Sequence, residues 1–446
     1  MISAVQSPLS EFMKHGPYVG YSYSYPHKTA YRRLDPPCRL TDIWANENQQ
    51  SLFLYVHIPF CEVRCGFCNL FTFSQPDENL ASEYVQSLRG HAQVVRRELP
   101  EARFTRLAIG GGTPSYLNDH ELAHLLATLS DHMLIDGHRI PISFEVSPGT
   151  LTHSKLLQLS DFGIDRISMG VQSFSAHDTA SMGRPQSRSD VYQAIELIRS
   201  HSIETLNLDL IYGAESQTMA SWNESIDEIL RIRPEEIYLY PLYVRPLTGL
   251  AKINRLASDA RPMMYRAARD RLLESGYEQL SMRMFQLPKS TPSSHTPDYQ
   301  CQRDGMIGLG CGARSYTSTL HYGTNYAVKQ PSILRLINDY IRTNPDDWAC
   351  ASHGIKLDID EHRRRYAILS LLLVQGMDCA QYIDLFGESP MKQLPGLSEL
   401  CDTGLAVLQK DRLTLTQKGI EWSDTIGPWL YSHDVRTRMA EFEWTG

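Results

Sequence analysis

From Leu52 onward, short β-branched and apolar runs alternate with longer segments in which apolar residues recur every three or four positions. That alternation predicts repeated βα units feeding a parallel sheet. Strands are predicted over residues 52–58, 106–109, 140–146, 166–171, 206–211 and 236–243. Between the first two, Leu80, Tyr84, Val85, Leu88, Ala92 and Val95 fall on one stripe of a helix, and residues 191–199 and 222–232 repeat the pattern. Six such units build an α/β protein that is either a doubly wound sheet or a partial (β/α) barrel. Periodicity does not choose between them. Polar residues and glycines cluster just after the predicted strands, at residues 59–68 and 110–113 and at Glu145, Gln172 and Asp209. Ligands of parallel α/β folds gather at the carboxyl ends of strands, so these groups are expected on one face.

Beyond Arg283 the pattern changes. Residues 286–304 are rich in Pro, Ser and Thr and read as a loop, followed by the glycine-rich run GMIGLGCGARSYTS. From about Asp358 the chain reads as helical, and the stretch from Gly404 to Leu415 suggests a short strand pair after a helix. Four parts are therefore expected: a lead-in over 1–50, a core over 51–285, a loop and glycine-rich extension over 286–357, and a small, mainly helical, winged-helix-like unit over 358–446.

Composition changes the picture mainly by exclusion. At 446 residues, 42% hydrophobic and 21% charged, with a formal net charge of -8, the chain has material for a large core and no basic excess. No nucleic-acid partner is expected, and the winged-helix-like unit lacks a basic recognition helix. The first residues carry no charged start followed by an apolar core, so a cytoplasmic location is expected. The longest apolar runs, such as 367–374, fall short of the ~20 residues a bilayer span needs, so no membrane segment is expected.

Of nine cysteines, Cys61, Cys65 and Cys68 crowd into eight residues of YVHIPFCEVRCGFC. Clustering of that kind in a reducing compartment reads as metal ligation rather than disulfides. Thiolates suit iron-sulfur clusters and zinc. A closed zinc site needs a fourth ligand, for which His57 is the nearest alternative, whereas a cluster on three thiolates leaves one iron open. The other six, Cys301 and Cys311 among them, are scattered and read as small buried hydrophobes.

The CxxxCxFC loop after YVHIPF resembles the radical S-adenosylmethionine (SAM) superfamily, specifically the oxygen-independent coproporphyrinogen III oxidases and their haem-chaperone relatives. The resemblance extends in order through Gly110-Gly111-Gly112-Thr113-Pro114, Glu145-Val-Ser-Pro, Ser168-Met-Gly-Val-Gln172, Gly183-Arg184-Pro and Asn207-Leu-Asp209. It implies a partial (β/α)6 radical SAM barrel, a 4Fe-4S cluster on Cys61, Cys65 and Cys68, and one or two SAM molecules. It further implies that main-chain groups of Gly111, Gly112 and Thr113 meet the methionine amino group. Arg184 and Gln172 would bind the carboxylate or polar edge, Glu145 and Asp209 the ribose or amino group, and Tyr55 and Phe67 would line the adenine side. Tyr243 and residues 308–314 occupy the region where some relatives bind a second SAM or deliver a methyl group. Reductive cleavage of SAM to methionine and a 5′-deoxyadenosyl radical is the implied chemistry, with a flavodoxin or ferredoxin as electron source.

The N-terminal GPYVGYSYSYPHK resembles the oxidases' aromatic lead-in, whereas Asn69-Leu70-Phe71 after Cys68 lacks the additional cysteine of those enzymes. Tyrosines from Tyr18 to Tyr31 beside His27, Lys28, Arg32 and Arg33 suit a planar substrate bearing carboxylates, such as a tetrapyrrole. Three functions stay open: oxidation of a tetrapyrrole, a methyl transfer or other radical modification of a different substrate, and haem delivery without catalysis. Because the motifs begin at Tyr55, residues 1–34 are expected to be dispensable for holding the cluster.

Overall fold

A computed structural model describes residues 8–288 and 299–444. The larger part of the Pro/Ser/Thr-rich stretch, residues 289–298, lies outside the described residues. In chain order the strands are β1 Arg32–Arg39, β2 Leu52–Ile58, β3 Phe60–Cys61, β4 Phe73–Ser74, β5 Phe104–Gly111, β6 Ile142–Val146, β7 Arg166–Gln172, β8 Thr205–Tyr212, β9 Glu236–Pro241, β10 Glu278–Gln279, β11 Met284–Gln286, β12 Met306–Leu309, β13 Arg314–Tyr316, β14 Leu320–Gly323, β15 Cys350–Lys356, β16 Met377–Asp378, β17 Ala406–Gln409 and β18 Arg412–Leu415.

The six predicted strands are β2 and β5 to β9, and they lie side by side in chain order, all parallel. The order never reverses. Right-handed crossovers that always step the same way carry their helices to one side, so the sheet curls as a partial barrel rather than winding both ways from a switch point. The helix Leu80–Glu98 buries the expected stripe, Leu80, Tyr84, Val85, Leu88, Ala92 and Val95. Helix Asp119–Met133 starts on a capping box, with Asn118 accepting from the Glu121 N–H and Glu121 reaching back to the Asn118 N–H.

Parity along each strand sorts core from site. Leu52, Leu54, Val56 and Ile58 are fully buried on the helix side of β2, which turns Phe53, Tyr55 and His57 inward. In β6 the buried Ile142, Phe144 and Val146 leave Glu145 facing in, and in β8 Leu206, Leu208 and Leu210 do the same for Asp209.

Beyond this barrel the sheet grows to thirteen strands, a feature the hydrophobic pattern conceals. β12 pairs parallel with β2, then β13, β14 and β15 continue antiparallel, and β1 closes that edge. The described residues 299–357 thus add four strands, β12 to β15, and a helix over Gln330–Ile341, more than the expected loop and glycine-rich extension. The added strands β12 to β14 are only three or four residues long. β1 holds Pro36 and Pro37, which a ladder tolerates at an edge and a bulge, both of which it has. The lead-in is not a loose appendage either. Leu9 and Tyr25 are fully buried, Ser22 Oγ lies 2.9 Å from the Tyr431 hydroxyl, and Tyr25 donates to Glu361. Removing residues 1–34 would take Leu9 and Tyr25 out of the core, which counts against the expectation that the cluster is held without them.

In the C-terminal unit, β17 and β18 form the expected strand pair, and β16 joins on the far side of β18. Helices Ile359–Leu371, Cys379–Phe386 and Gly396–Asp402 accompany this small sheet in a winged-helix-like arrangement. Among the described residues no helix is long and apolar enough to cross a membrane.

Candidate functional site

The carboxyl ends of the barrel strands open into a cavity of about 1060 Å³ that reaches Tyr55, Phe67, Gly111, Glu145, Gln172, Asp209 and Tyr243. The three-cysteine loop meets it through Phe67 and Cys68. β3, which ends on Cys61, pairs with β4, so residues 62–72 form a closed excursion. Its middle is clamped by backbone: the Gly66 N–H donates to Met182 O at 3.0 Å and Gly66 O accepts from the Leu250 N–H at 2.8 Å. A Cβ at Gly66 would lie 2.8 Å from Met182 O, so the clamp closes only on glycine.

Each of the three sulfurs meets a polar donor from a different segment. Thr113 Oγ1 lies 3.6 Å from Cys61 Sγ, Arg184 Nη1 3.1 Å from Cys65 Sγ, and Thr72 Oγ1 3.6 Å from Cys68 Sγ. Donors aimed at sulfur favour the thiolate and tune a bound cluster. Without a cation two of the thiols hold their protons: burial pushes Cys61 up to about 12 and also raises Cys68. Among the described residues no three His, Cys, Asp or Glu side chains converge as ligands of one ion would. A cubane with one thiolate on each of three irons asks for sulfurs around a volume rather than a point. His57 does not serve as a fourth ligand. Its Nε2 pairs with Phe71 O at 2.8 Å and its Nδ1 with the Tyr55 hydroxyl at 3.2 Å, while burial pushes its pKa down to about 4. The ring is neutral, donating from Nε2 and accepting at Nδ1.

The glycine run works by close approach. A Cβ at Gly110 would lie 2.6 Å from Glu145 Oε1, at Gly111 2.6 Å from the His57 ring, and at Gly112 2.5 Å from Phe60 O. Gly111 also has φ +120°, open to glycine alone. Its N–H donates to Glu145 Oε2 at 3.1 Å. Glu145 lies deep in the barrel yet opens onto the cavity, and burial pushes it up to about 7 against the pull of that N–H. Asp209, accepting from Asn207 Nδ2 at 2.7 Å, is pushed up to about 6 by burial. A bulge at the end of β7 sets Gln172 at φ 68° and turns its side chain inward.

Two expected residues are placed differently. Arg184 spends its donors on Gly170 O at 2.7 Å, Gln186 Oε1 at 3.2 Å and Cys65 Sγ, so it faces the cysteine loop. Tyr243 lines the cavity by its ring, but its hydroxyl donates to Asp424 of the C-terminal unit. Of residues 308–314, Gly308 packs against Arg314 O as part of β12, and Arg314 reaches the cavity. Cys311 is buried, its thiol pushed up to about 12, whereas Cys301 borders the cavity.

Sequence reasoning missed most of the far wall. Lys28 and His27 line the cavity as expected, but Arg32 turns away to Thr29 O, Tyr31 O and Arg438 O, and Arg33 is exposed. The cations that replace them are Arg245, Arg283, Arg314, Arg365 and Arg436, from five separate segments. No local signal marks these arginines, because only the sheet order brings them together.

A family description of the radical SAM superfamily matches residues 55–229. The chain is 27% identical over 339 residues to an oxygen-independent coproporphyrinogen III oxidase from Pseudomonas aeruginosa, covering 72% of each chain. It is 25% identical over 387 residues to the heme chaperone HemW of Lactococcus lactis, covering 83% of this chain and 95% of that one. Among solved structures, the coproporphyrinogen III oxidase HemN of Escherichia coli superposes with a TM-score of 0.76 over 92% of this chain and 96% of that one. At 21% identity that likeness speaks to the fold.

The singly wound partial barrel whose strand ends face the three-cysteine loop coincides with a radical SAM domain matched over residues 55–229. Beyond that domain the chain is similar to oxygen-independent coproporphyrinogen III oxidases and to heme chaperones. The radical SAM superfamily works with a 4Fe-4S cluster and SAM.

Proposed function

We propose that Cys61, Cys65 and Cys68 hold a 4Fe-4S cluster, that SAM lies against Gly111, Gly112, Thr113, Glu145, Gln172 and Asp209, and that the protein acts on a tetrapyrrole. One observation carries the reading: a single cavity of about 1060 Å³ is lined by Cys68, Gly111, Glu145, Gln172 and Asp209 on one side and by the tyrosine- and arginine-rich far wall on the other. Pockets for one small ligand run to ~300–1,000 Å³, so this cavity lies at the large end of that range and is roomy for SAM alone. The names of the relatives, coproporphyrinogen oxidases and heme chaperones, favour a tetrapyrrole as the substrate.

The bound cluster and SAM supply a 5′-deoxyadenosyl radical able to take a hydrogen atom from substrate. The chain supplies position and seclusion. Glu145 and Asp209 accept hydrogen bonds from ammonium or hydroxyl groups, the Gly111–Gly112 backbone leaves space for them, and Phe67 and Tyr55 wall the site. Neutral His57, bonded on both nitrogens, puts no competing charge beside the SAM ammonium. The Tyr243–Asp424 bond ties the C-terminal unit to the cavity, whose wall includes Pro428, Tyr431 and Arg436 of that unit. A small one-electron carrier such as flavodoxin or ferredoxin fits as the electron source.

This reading makes SAM affinity depend on pH. Glu145 titrates near 7 and Asp209 near 6, and only the ionised forms attract an ammonium. Affinity is therefore full at pH 8 and falls as pH drops through 7 and then 6. Anaerobic calorimetry should show about a tenfold loss between pH 8 and pH 6, and Glu145→Gln should flatten the upper part of the profile. Equal affinity at both pH values would remove the carboxylates from the SAM site.

The deciding experiment incubates reconstituted full-length protein with SAM, dithionite and coproporphyrinogen III or haem, followed by mass spectrometry. A changed tetrapyrrole mass together with 5′-deoxyadenosine is the expected result. SAM cleavage with neither a mass change nor tetrapyrrole binding overturns the substrate and leaves the radical chemistry standing. Haem bound with no SAM cleavage would instead place the protein with the chaperone relatives.

A further inference from the structure

The cavity is charged unevenly. Its barrel side carries Glu145 and Asp209, while its far side gathers Lys28, Arg245 and Arg314 near His27 and Tyr23. The protein neutralises a cation here when structure requires it: buried Arg283 has Asp424, with Nη1 at 2.8 Å from Oδ1. Lys28 and Arg314 receive no such partner among the described residues. Lys28 Nζ stands 3.6 Å over the Tyr326 ring, and Arg314 donates to Ser24 Oγ at 2.9 Å and to the Tyr23 hydroxyl at 3.2 Å. All three contacts are to neutral groups, and of the five N–H donors of Arg314 three remain.

The neighbours report the resulting field. Burial and then Lys28, Arg314 and Arg245 hold His27 well below the usual imidazole range. Burial alone would raise the Tyr23 phenol, yet Arg314 and Lys28 bring it down to about 8. Like charges held together away from bulk water are unfavourable without a counter-charge. Tyr23 is also 41% exposed, so the spot is open to a ligand. Its position is near the cysteine loop, because the Tyr326 hydroxyl donates to Asn69 O directly after Cys68.

We propose that Lys28 and Arg314, with the Tyr23 hydroxyl beside them, form the subsite that receives a carboxylate of the substrate. An Arg fork and an ammonium recognise that group by charge-assisted hydrogen bonds. The subsite would orient the substrate's acidic side chain toward the cysteine loop and would select polycarboxylates over their esters. It rests on the reading of this cavity as the substrate site of a radical SAM protein. The SAM carboxylate has the same chemistry, so the test separates the two sources.

Full-length reconstituted protein is titrated anaerobically with coproporphyrin III, with its tetramethyl ester and with SAM, as wild type, Lys28→Met and Arg314→Gln. Both substitutions keep much of the side-chain volume, and thermal melting together with iron content confirms an intact fold. The tetra-acid should bind wild type more tightly than the ester, and each variant should lose about tenfold or more in affinity for the acid alone. SAM affinity should not change. Equal binding of acid and ester, or variants with wild-type affinity for the acid, overturns the subsite while the tetrapyrrole reading stands. Loss of SAM affinity with porphyrin binding intact assigns these cations to SAM and overturns the proposal as well. Binding of neither porphyrin to wild type removes the tetrapyrrole reading and the subsite with it.

Discussion

Serine at Cys61, Cys65 and Cys68 together yields a folded protein that holds no iron or sulfide and cleaves no SAM. Wild-type protein reconstituted under anaerobic conditions should carry about one 4Fe-4S cluster per chain. The loss is complete because these thiols share one loop, each with its own donor in Thr113, Arg184 or Thr72, and serine is a poor ligand for iron. The fold survives because backbone bonds hold the loop, from Gly66 to Met182 and Leu250 and from Thr113 to Phe60, so the metal is not its only clamp. Circular dichroism should match wild type while iron and sulfide analysis reads zero. Replacing Cys311 and Cys350 should leave the iron content untouched. Full iron in the triple variant would show that the cluster sits elsewhere.

Asp424→Ala should destabilise the protein by about 3–5 kcal/mol, the usual consequence of stranding a buried charge. Arg283 is 1% exposed and Asp424 0%. The carboxylate takes two guanidinium bonds and the Tyr243 hydroxyl, and the Tyr21 ring lies 3.7 Å from the guanidinium carbon. Truncation leaves Arg283 without a counter-charge in a place water cannot easily reach. Pairing Asp424→Leu with Arg283→Met should recover most of the loss, since an apolar pair of similar volume needs no solvation. Urea unfolding of the cluster-free protein reads both effects. A cost below about 1 kcal/mol for Asp424→Ala would mean that the pair behaves as a solvated surface bridge.

The parts legible beforehand share a physical property. Strands β2 and β5 to β9 announce themselves because each is buried on its helix side, so apolar residues must occupy every second position. The inward residues between them, Tyr55, Glu145 and Asp209, are placed by the same parity, and the structure delivers them to one cavity. The strands from β12 to β15 and the edge strand β1 lack that signature. They are short or interrupted, hold glycine or proline, and owe their pairing to the neighbour they meet.

The same division separates the two halves of the site. Three thiols within eight residues at a strand end are a local matter, since the chain itself sets how far apart they sit, and the sequence alone determined that chemistry. Which side chains face the loop is not local. Arg184 meets Cys65 rather than the open cavity, Asp424 crosses from the C-terminal unit to neutralise Arg283, and Lys28 joins Arg314 across 286 positions of chain. Only the order of the strands and the docking of the C-terminal unit decide those meetings, because charges far apart in sequence interact only where packing removes the water between them.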